Sequence, residues 1–266
     1  MSYGDIDIAF VAFEFTTVSL ESKSDLVIGI DFGTTFTGVA CALSSKANGN
    51  DAVKIAESID IIRKWPNITR AFIEKTPTTL SYHTNPPTWG GNVRPRDEPQ
   101  VAYFKLGLQP GLGAHYLPRS MRPAASVLPF LEADYKHPKL PDKTALDFAG
   151  DYLKCIYNYL RNVYLPEQYG ADFLRNQQIS YIITVPAIWK DTAKNLTRQA
   201  AVRAGIPERR LELITEPEAA ALYCATMCNE VNLCDGDCFL ICDAGGGTVV
   251  IMTSHFCPDL LGFDII

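Results

Sequence analysis

The chain predicts an α/β lobe with a mixed β-sheet flanked by helices, and three observations support that fold class. Two short apolar strands, 26–31 and 239–242, each deliver an aspartate into a turn rich in glycine and threonine. Between them, β-branched runs alternate with stretches whose apolar residues recur at three- and four-residue steps. That order places helices against the faces of a sheet. The composition agrees, with 47% hydrophobic and 20% charged residues in 266. A chain of this length buries roughly 70–75% of the surface it would expose unfolded.

Taken in order, residues 26–43 read as a buried strand, a tight turn at Phe32-Gly33-Thr34-Thr35 and a second strand from Phe36 to Leu43. Another apolar, β-branched run covers 51–64 and stops at Trp65-Pro66. The stretch 76–99 is rich in Pro, Gly, Thr and Asn, with room for a short strand at Leu80-Ser81-Tyr82. Ala149, Leu153, Ile156, Leu160 and Val163 align one apolar stripe on a helix over 143–165, with Asp142 as its expected N-cap and Pro166 as its stop. Residues 179–185 form a strand ending at Pro186. A helix over 191–204 follows, capped by Asp191 and closed by Gly205. A strand at 211–214 leads into Thr215-Glu216-Pro217-Glu218, which has capping-box spacing ahead of a helix over 219–227.

Charge and cysteine content narrow the function classes. Lys and Arg total 24 against 30 Asp and Glu, a formal charge of −6 with no long basic run. Nucleic acid and anionic membranes are poor partners for such a surface. The N-terminal stretch from Ile6 to Val18 is broken by Asp7 and Glu14 and lacks a basic start, so a cytoplasmic protein with reduced cysteines is expected. Five of the eight cysteines crowd into 224–242 (Cys224, Cys228, Cys234, Cys238, Cys242) at spacings a zinc site would accept. Their apolar neighbours favour small buried hydrophobes instead.

The two turns carry the chemistry. In Asp31-Phe32-Gly33-Thr34-Thr35 an apolar strand ends on a carboxylate, Gly33 permits close backbone approach, and two hydroxyls lie beside backbone N–H groups. This suits a phosphate with its Mg²⁺, an ion that keeps most of its waters and favours a nearby carboxylate. Asp243-Ala244-Gly245-Gly246-Gly247-Thr248 repeats the plan, its consecutive glycines allowing N–H groups to converge on an anion. Neither turn has the spacing of a P-loop or of a dinucleotide fingerprint.

The segments IGIDFGTTFTGVA (28–40), YIITVPAIWKDTAKNLTRQAAVRAGI (181–206), LELITEPEAAALY (211–223) and FLICDAGGGT (239–248) resemble, in this order, the nucleotide-binding domain of the heat shock protein 70 family. They are similar above all to the divergent Hsp70-like proteins of filamentous fungi. The resemblance implies a ribonuclease-H-like, actin-like ATPase fold and an ATP-binding molecular chaperone of the stress response. It implies that Asp31 and Asp243 hold Mg²⁺ through its water shell. Gly33, Thr34 and Thr35, with Gly245, Gly246, Gly247 and Thr248, would grip the phosphates. Glu216 would stand near the attacking water, Lys105 would approach the γ-phosphate, and Pro186 would be a nucleotide-sensing hinge. Without the family match, Glu216 reads as favourable charge on a helix N-terminus and Lys105 as a surface lysine. ATP or ADP, unfolded clients and co-chaperones are the partners implied.

The expected organisation is an N-terminal extension (1–25), an ATPase domain covering mainly the first lobe and the second phosphate loop (26–250), and a divergent tail (251–266). Where the family places an acidic residue after the second loop, this chain has Val250. The expectation is therefore a chain truncated after that loop, with ATPase ancestry and impaired or absent hydrolysis. The alternative is a non-catalytic fragment acting through protein–protein contacts.

Overall fold

The computed structural model describes residues 26–43, 59–68, 74–109, 136–175, 177–220, 238–244, 249–257 and 262–265. Its centre is a six-stranded mixed sheet. Strand β1 (Leu26–Phe32) turns directly into β2 (Phe36–Leu43), antiparallel in a register that runs from Leu26↔Leu43 to Phe32↔Thr37. On its other side β1 pairs parallel with β8 (Ile179–Val185), and β8 pairs parallel with β9 (Leu211–Thr215). Two short strands, β3 (Ile59–Ile61) and β4 (Lys75–Pro77), share the far edge of β2. Parallel strands covered on both faces become continuous apolar runs. All seven residues of β8 are buried, and so are all of β1 except Asp31.

The two-residue alternation of strands separates the core into two faces. Leu26, Ile28, Ile30 and Phe32 of β1 join Tyr181, Ile183 and Val185 of β8 in the larger cluster, beneath the helices. Val27, Ala40, Ala42, Ile182 and Ile214 form a smaller cluster on the reverse face, with Ala219 from residues 216–220, which are helical. A second small sheet, β5 (Thr79–Ser81) between β6 (Thr88–Trp89) and β7 (Gln100–Ala102), lies beside the 3₁₀ turn Phe104–Leu108 in the chain.

Helix α1 (Ala145–Tyr159) buries Phe148, Ala149, Tyr152, Leu153 and Ile156. Of the expected stripe Ala149, Leu153, Ile156 and Leu160 are buried, but Val163, in the π segment beyond α1, is exposed. Its cap is Thr144 rather than Asp142. The Thr144 hydroxyl accepts from Asp147 N–H, and the Asp147 carboxylate accepts from Thr144 N–H at 2.8 Å. Only Thr144 has an acidic residue three positions on, so only it completes the reciprocal box. Nor does Pro166 end the helical run. A π segment, Leu160–Tyr164, follows α1, and Pro166 falls in the first turn of α2 (Leu165–Tyr169), where its missing N–H is harmless. A short helix, α3 (Ala171–Arg175), comes next.

Helix α4 (Asp191–Ala204) packs against α1 through the small residues Ala193, Ala200, Ala201 and Ala204, and Arg203 reaches Asp147 at 2.9 Å. Its N-cap is Lys190, not Asp191. Asp191 sits one position inside, where its charge favours the helix N-terminus without capping it. Gly205 closes the helix in the left-handed region at φ 107°, as expected of a C-terminal glycine.

Strands β10 (Cys238–Ala244), β11 (Val249–Cys257) and β12 (Gly262–Ile265) form a separate antiparallel meander. No helix among the described residues is long and apolar enough to cross a membrane.

Candidate functional site

Three adjacent parallel strands carry their polar residues to the same end. Asp31 is the penultimate residue of β1, Thr184 the penultimate residue of β8, and Glu216 directly follows β9. The carboxyl ends of such strands are where open α/β sheets receive ligands. The β1–β2 turn lies at this same end. There Gly33 N–H donates to the Asp31 carbonyl at 3.0 Å. A Cβ on Gly33 would stand 2.1 Å from the Phe36 carbonyl oxygen, so no other residue fits this backbone.

Thr78, immediately after β4, holds the turn in shape. Its N–H donates to the Thr35 carbonyl at 2.8 Å and its hydroxyl to the Gly33 carbonyl at 2.9 Å. That commits its only hydroxyl proton, so in the 2.9 Å contact between the two hydroxyls Thr37 is the donor. The Gly33 and Thr35 carbonyls are thereby tied backwards, while Gly33 N–H is itself given to the Asp31 carbonyl.

Two lysine–carboxylate pairs stand at the strand ends. Lys75 Nζ lies 2.5 Å from Asp31 Oδ2, and the Thr184 hydroxyl donates to Oδ1 at 3.0 Å. Burial by itself would raise the Asp31 pKa. The Lys75 charge and hydrogen bond, helped by Lys105 and Thr184, outweigh it and hold the carboxyl below the ordinary aspartate value. The second pair joins Lys105 Nζ to Glu216 Oε1 at 2.7 Å. Lys105 is 2% exposed, its ammonium 5.6 Å from the Phe32 ring centre and 5.4 Å from that of Trp189. A buried ammonium needs a carboxylate partner and gains further from facing aromatic rings.

Local sequence places each of these groups. Tyr103, at φ 62°, turns the chain into the 3₁₀ segment that carries Lys105 inward. Pro186 ends β8 and its carbonyl accepts from Trp189 N–H at 3.1 Å, which sets the indole beside Lys105. Gln109 accepts from Lys190 N–H at 3.1 Å and ties the two segments together. Thr215 and Glu218 form the expected capping box: Thr215 N–H donates to the Glu218 carboxylate at 2.7 Å, and Glu218 N–H to the Thr215 hydroxyl at 3.4 Å. Glu216 therefore sits in the first turn of a helix while also pairing with Lys105.

The structure thus brings Lys105 and Glu216 together and sets Asp31 beside the Gly33-Thr34-Thr35 turn. Lys75 and Thr184 were not among the residues expected from the sequence. Thr184 hides inside a β-branched strand, and Lys75 lies just ahead of the loop-like stretch 76–99, its pairing with β2 having no local signal. Gly245, Gly246, Gly247 and Thr248 lie outside the described residues, as do Cys224, Cys228 and Cys234. Asp243 is described in its backbone. It pairs with Val250, and Ala244 with Val249, with residues 245–248 between them. The first hairpin has the same register: Asp31 pairs with Gly38 and Phe32 with Thr37, with residues 33–36 between them.

Among the described residues no three His, Cys, Asp or Glu side chains gather as a metal site. Both carboxylates at the mouth already carry an ammonium. The described residues therefore do not by themselves fit a resident divalent ion.

Comparison with known proteins gives a consistent picture. Heat shock 70 kDa protein 12A of Homo sapiens is 30% identical over 223 residues, 79% of this chain and 30% of that protein. Its Mus musculus counterpart is 31% identical over 221 residues, covering 78% and 29%. A chaperone protein HscA homolog of Rickettsia akari is 30% identical over 229 residues, covering 86% and 32%. The chain spans about a third of the length of these relatives. No protein-family model matches it.

Proposed function

Because the chain is a divergent Hsp70-like protein of the actin-like ATPase class, we propose that it binds ATP, with the β- and γ-phosphates lying over the Gly33-Thr34-Thr35 turn. The carrying observation is the convergence of two ammonium groups, Lys75 and Lys105, on strand ends beside a turn that only glycine can make. Oriented N–H groups and fixed cations in a partly buried site are what a triphosphate requires. The second turn, 245–248, completes the grip in this reading, since its flanking strands repeat the register of the first.

The arrangement also defines what hydrolysis would ask of these residues. Water oxygen would bond to the γ-phosphorus as the bond to the β-phosphate bridging oxygen breaks. Glu216 would take the water proton, and Lys105 would balance charge on the transferring group. The family resemblance proposes Asp31 and Asp243 as the carboxylates for Mg²⁺, but here Asp31 is already paired with Lys75. Unfolded clients and co-chaperones are the partners this reading suggests for the complete protein.

Calorimetric titration of ATP with magnesium into the purified chain tests the proposal. Lys105→Ala should weaken binding by about tenfold or more, with circular dichroism confirming the fold. A folded, monodisperse sample that takes up no ATP would overturn the reading.

A further inference from the structure

Asp31 is the carboxylate at which an ATP site would ordinarily anchor the cation that neutralises the phosphates, yet each of its oxygens already accepts a hydrogen bond. Thr184 donates to one, and Lys75 lies 2.5 Å from the other. This ammonium is not a surface group that happened to fold inward. Lys75 opens β4, which pairs with β2 at Gly38↔Lys75, Thr37↔Thr76 and Phe36↔Pro77. The strand is tied down by the buried Tyr152, whose hydroxyl donates to the Pro77 carbonyl at 3.0 Å. Thr78, next along, holds the phosphate turn itself. The backbone that shapes the turn thus also delivers a cation to its rim. Lys75 and Asp31 are 14% and 13% exposed, so little water competes for either charge.

Charge arithmetic gives that cation a purpose. Mg²⁺ brings two positive charges to a nucleotide and prefers oxygen ligands that are free to face it. Lys75 brings one positive charge on a covalent tether to that position, beside the one Lys105 holds, and Asp31 and Glu216 offset both in the free chain. Oxygens for an ion are scarce among the described residues, because Asp31 and Glu216 are each bonded to one of these lysines. We propose that Lys75 is a built-in replacement for the divalent ion, so that this site binds nucleoside triphosphate without requiring magnesium. The inference rests on the ATP-binding reading above and adds a specific property to it. Lys75 acts as a positioning cation on the phosphates, and Asp31 serves to aim it.

The test is ATP titration of the full chain in excess EDTA and again in millimolar magnesium, for the natural sequence, Lys75→Ala and Lys75→Arg. The natural protein should bind with affinities within about threefold of each other in the two buffers. Lys75→Ala should lose about tenfold or more in EDTA and recover in magnesium, because the vacated Asp31 can then take up the ion. Lys75→Arg should restore part of the magnesium-free affinity that Lys75→Ala loses. Mn²⁺ titration followed by electron paramagnetic resonance, with no nucleotide present, gives an independent readout: Lys75→Ala should bind Mn²⁺ more tightly than the natural chain. ATP binding that appears only with magnesium would overturn this inference and leave the ATP site standing. Unchanged magnesium-free affinity in Lys75→Ala would overturn it too. No binding in either buffer would overturn both. If Lys75→Ala fails to fold, the two-buffer comparison on the natural chain and Lys75→Arg decides.

Discussion

At the scale of single residues, Asp31 and its ammonium partner form the most consequential contact in the molecule. The folded-state pKa of Asp31 lies below the ordinary value of 3.8. A depressed carboxylate contributes stability above the unfolded value, and that contribution disappears as pH falls through the folded value. Acid should therefore erode stability below about pH 4. Asp31→Asn should cost roughly 1–3 kcal/mol at neutral pH by leaving Lys75 buried against an amide. In urea unfolding the gap between variant and natural protein should narrow as pH falls below about 4. A gap independent of pH would show that the aspartate contributes shape rather than charge. Asp31 and Glu216 fall inside the segments that carry the family resemblance, whereas Lys105 lies outside them and its contact with Glu216 has no local signal. The contacts of Lys75 and Thr184 with Asp31 were not legible in the sequence, because they form only when β4 is laid against β2 and β8 against β1.

At the scale of elements, local rules locate helices well and their ends less well. The apolar stripe of α1 is visible as spacing, yet the cap belongs to the residue with a reciprocal partner, Thr144 with Asp147. The Asp147 carboxyl shows the consequence. Burial would raise its pKa, but the Thr144 hydroxyl and N–H, with Arg203 and Lys143, hold it below the ordinary value. Thr144→Ala should lower stability by about 1 kcal/mol, measured by thermal or urea unfolding. Asp142→Ala should change it far less, because Asp142 does not cap the helix. The stop expected at Pro166 failed for a related reason. The widened turn at Leu160–Tyr164 resets the helical phase, and the proline then falls where a first turn tolerates it.

At the scale of the whole molecule, alternation of strand and helix was enough to predict a mixed sheet with covered faces, since parallel strands must be apolar on both sides. The order β3-β2-β1-β8-β9 could not be read in the same way. It depends on which buried strand accepts which neighbour, and several runs of similar composition compete for each place. The repeated register of the two aspartate hairpins is a property of the pairing and so becomes visible only in three dimensions.

That strand order also sets a timetable during synthesis. β1 and β2 leave the ribosome together and can close their hairpin at once, but the other edge of β1 waits for β8, where Leu26 meets Ile179. At about 5–20 residues per second the wait is roughly 8–30 s. Throughout it the newborn hairpin offers an unpaired, apolar edge to whatever is nearby, the kind of edge that recruits other strands. Asp31 is translated before Thr184 and Glu216 exist, so the site cannot assemble until the sheet has closed over that gap. A protein related to chaperones would itself pass through the exposed state that chaperones attend.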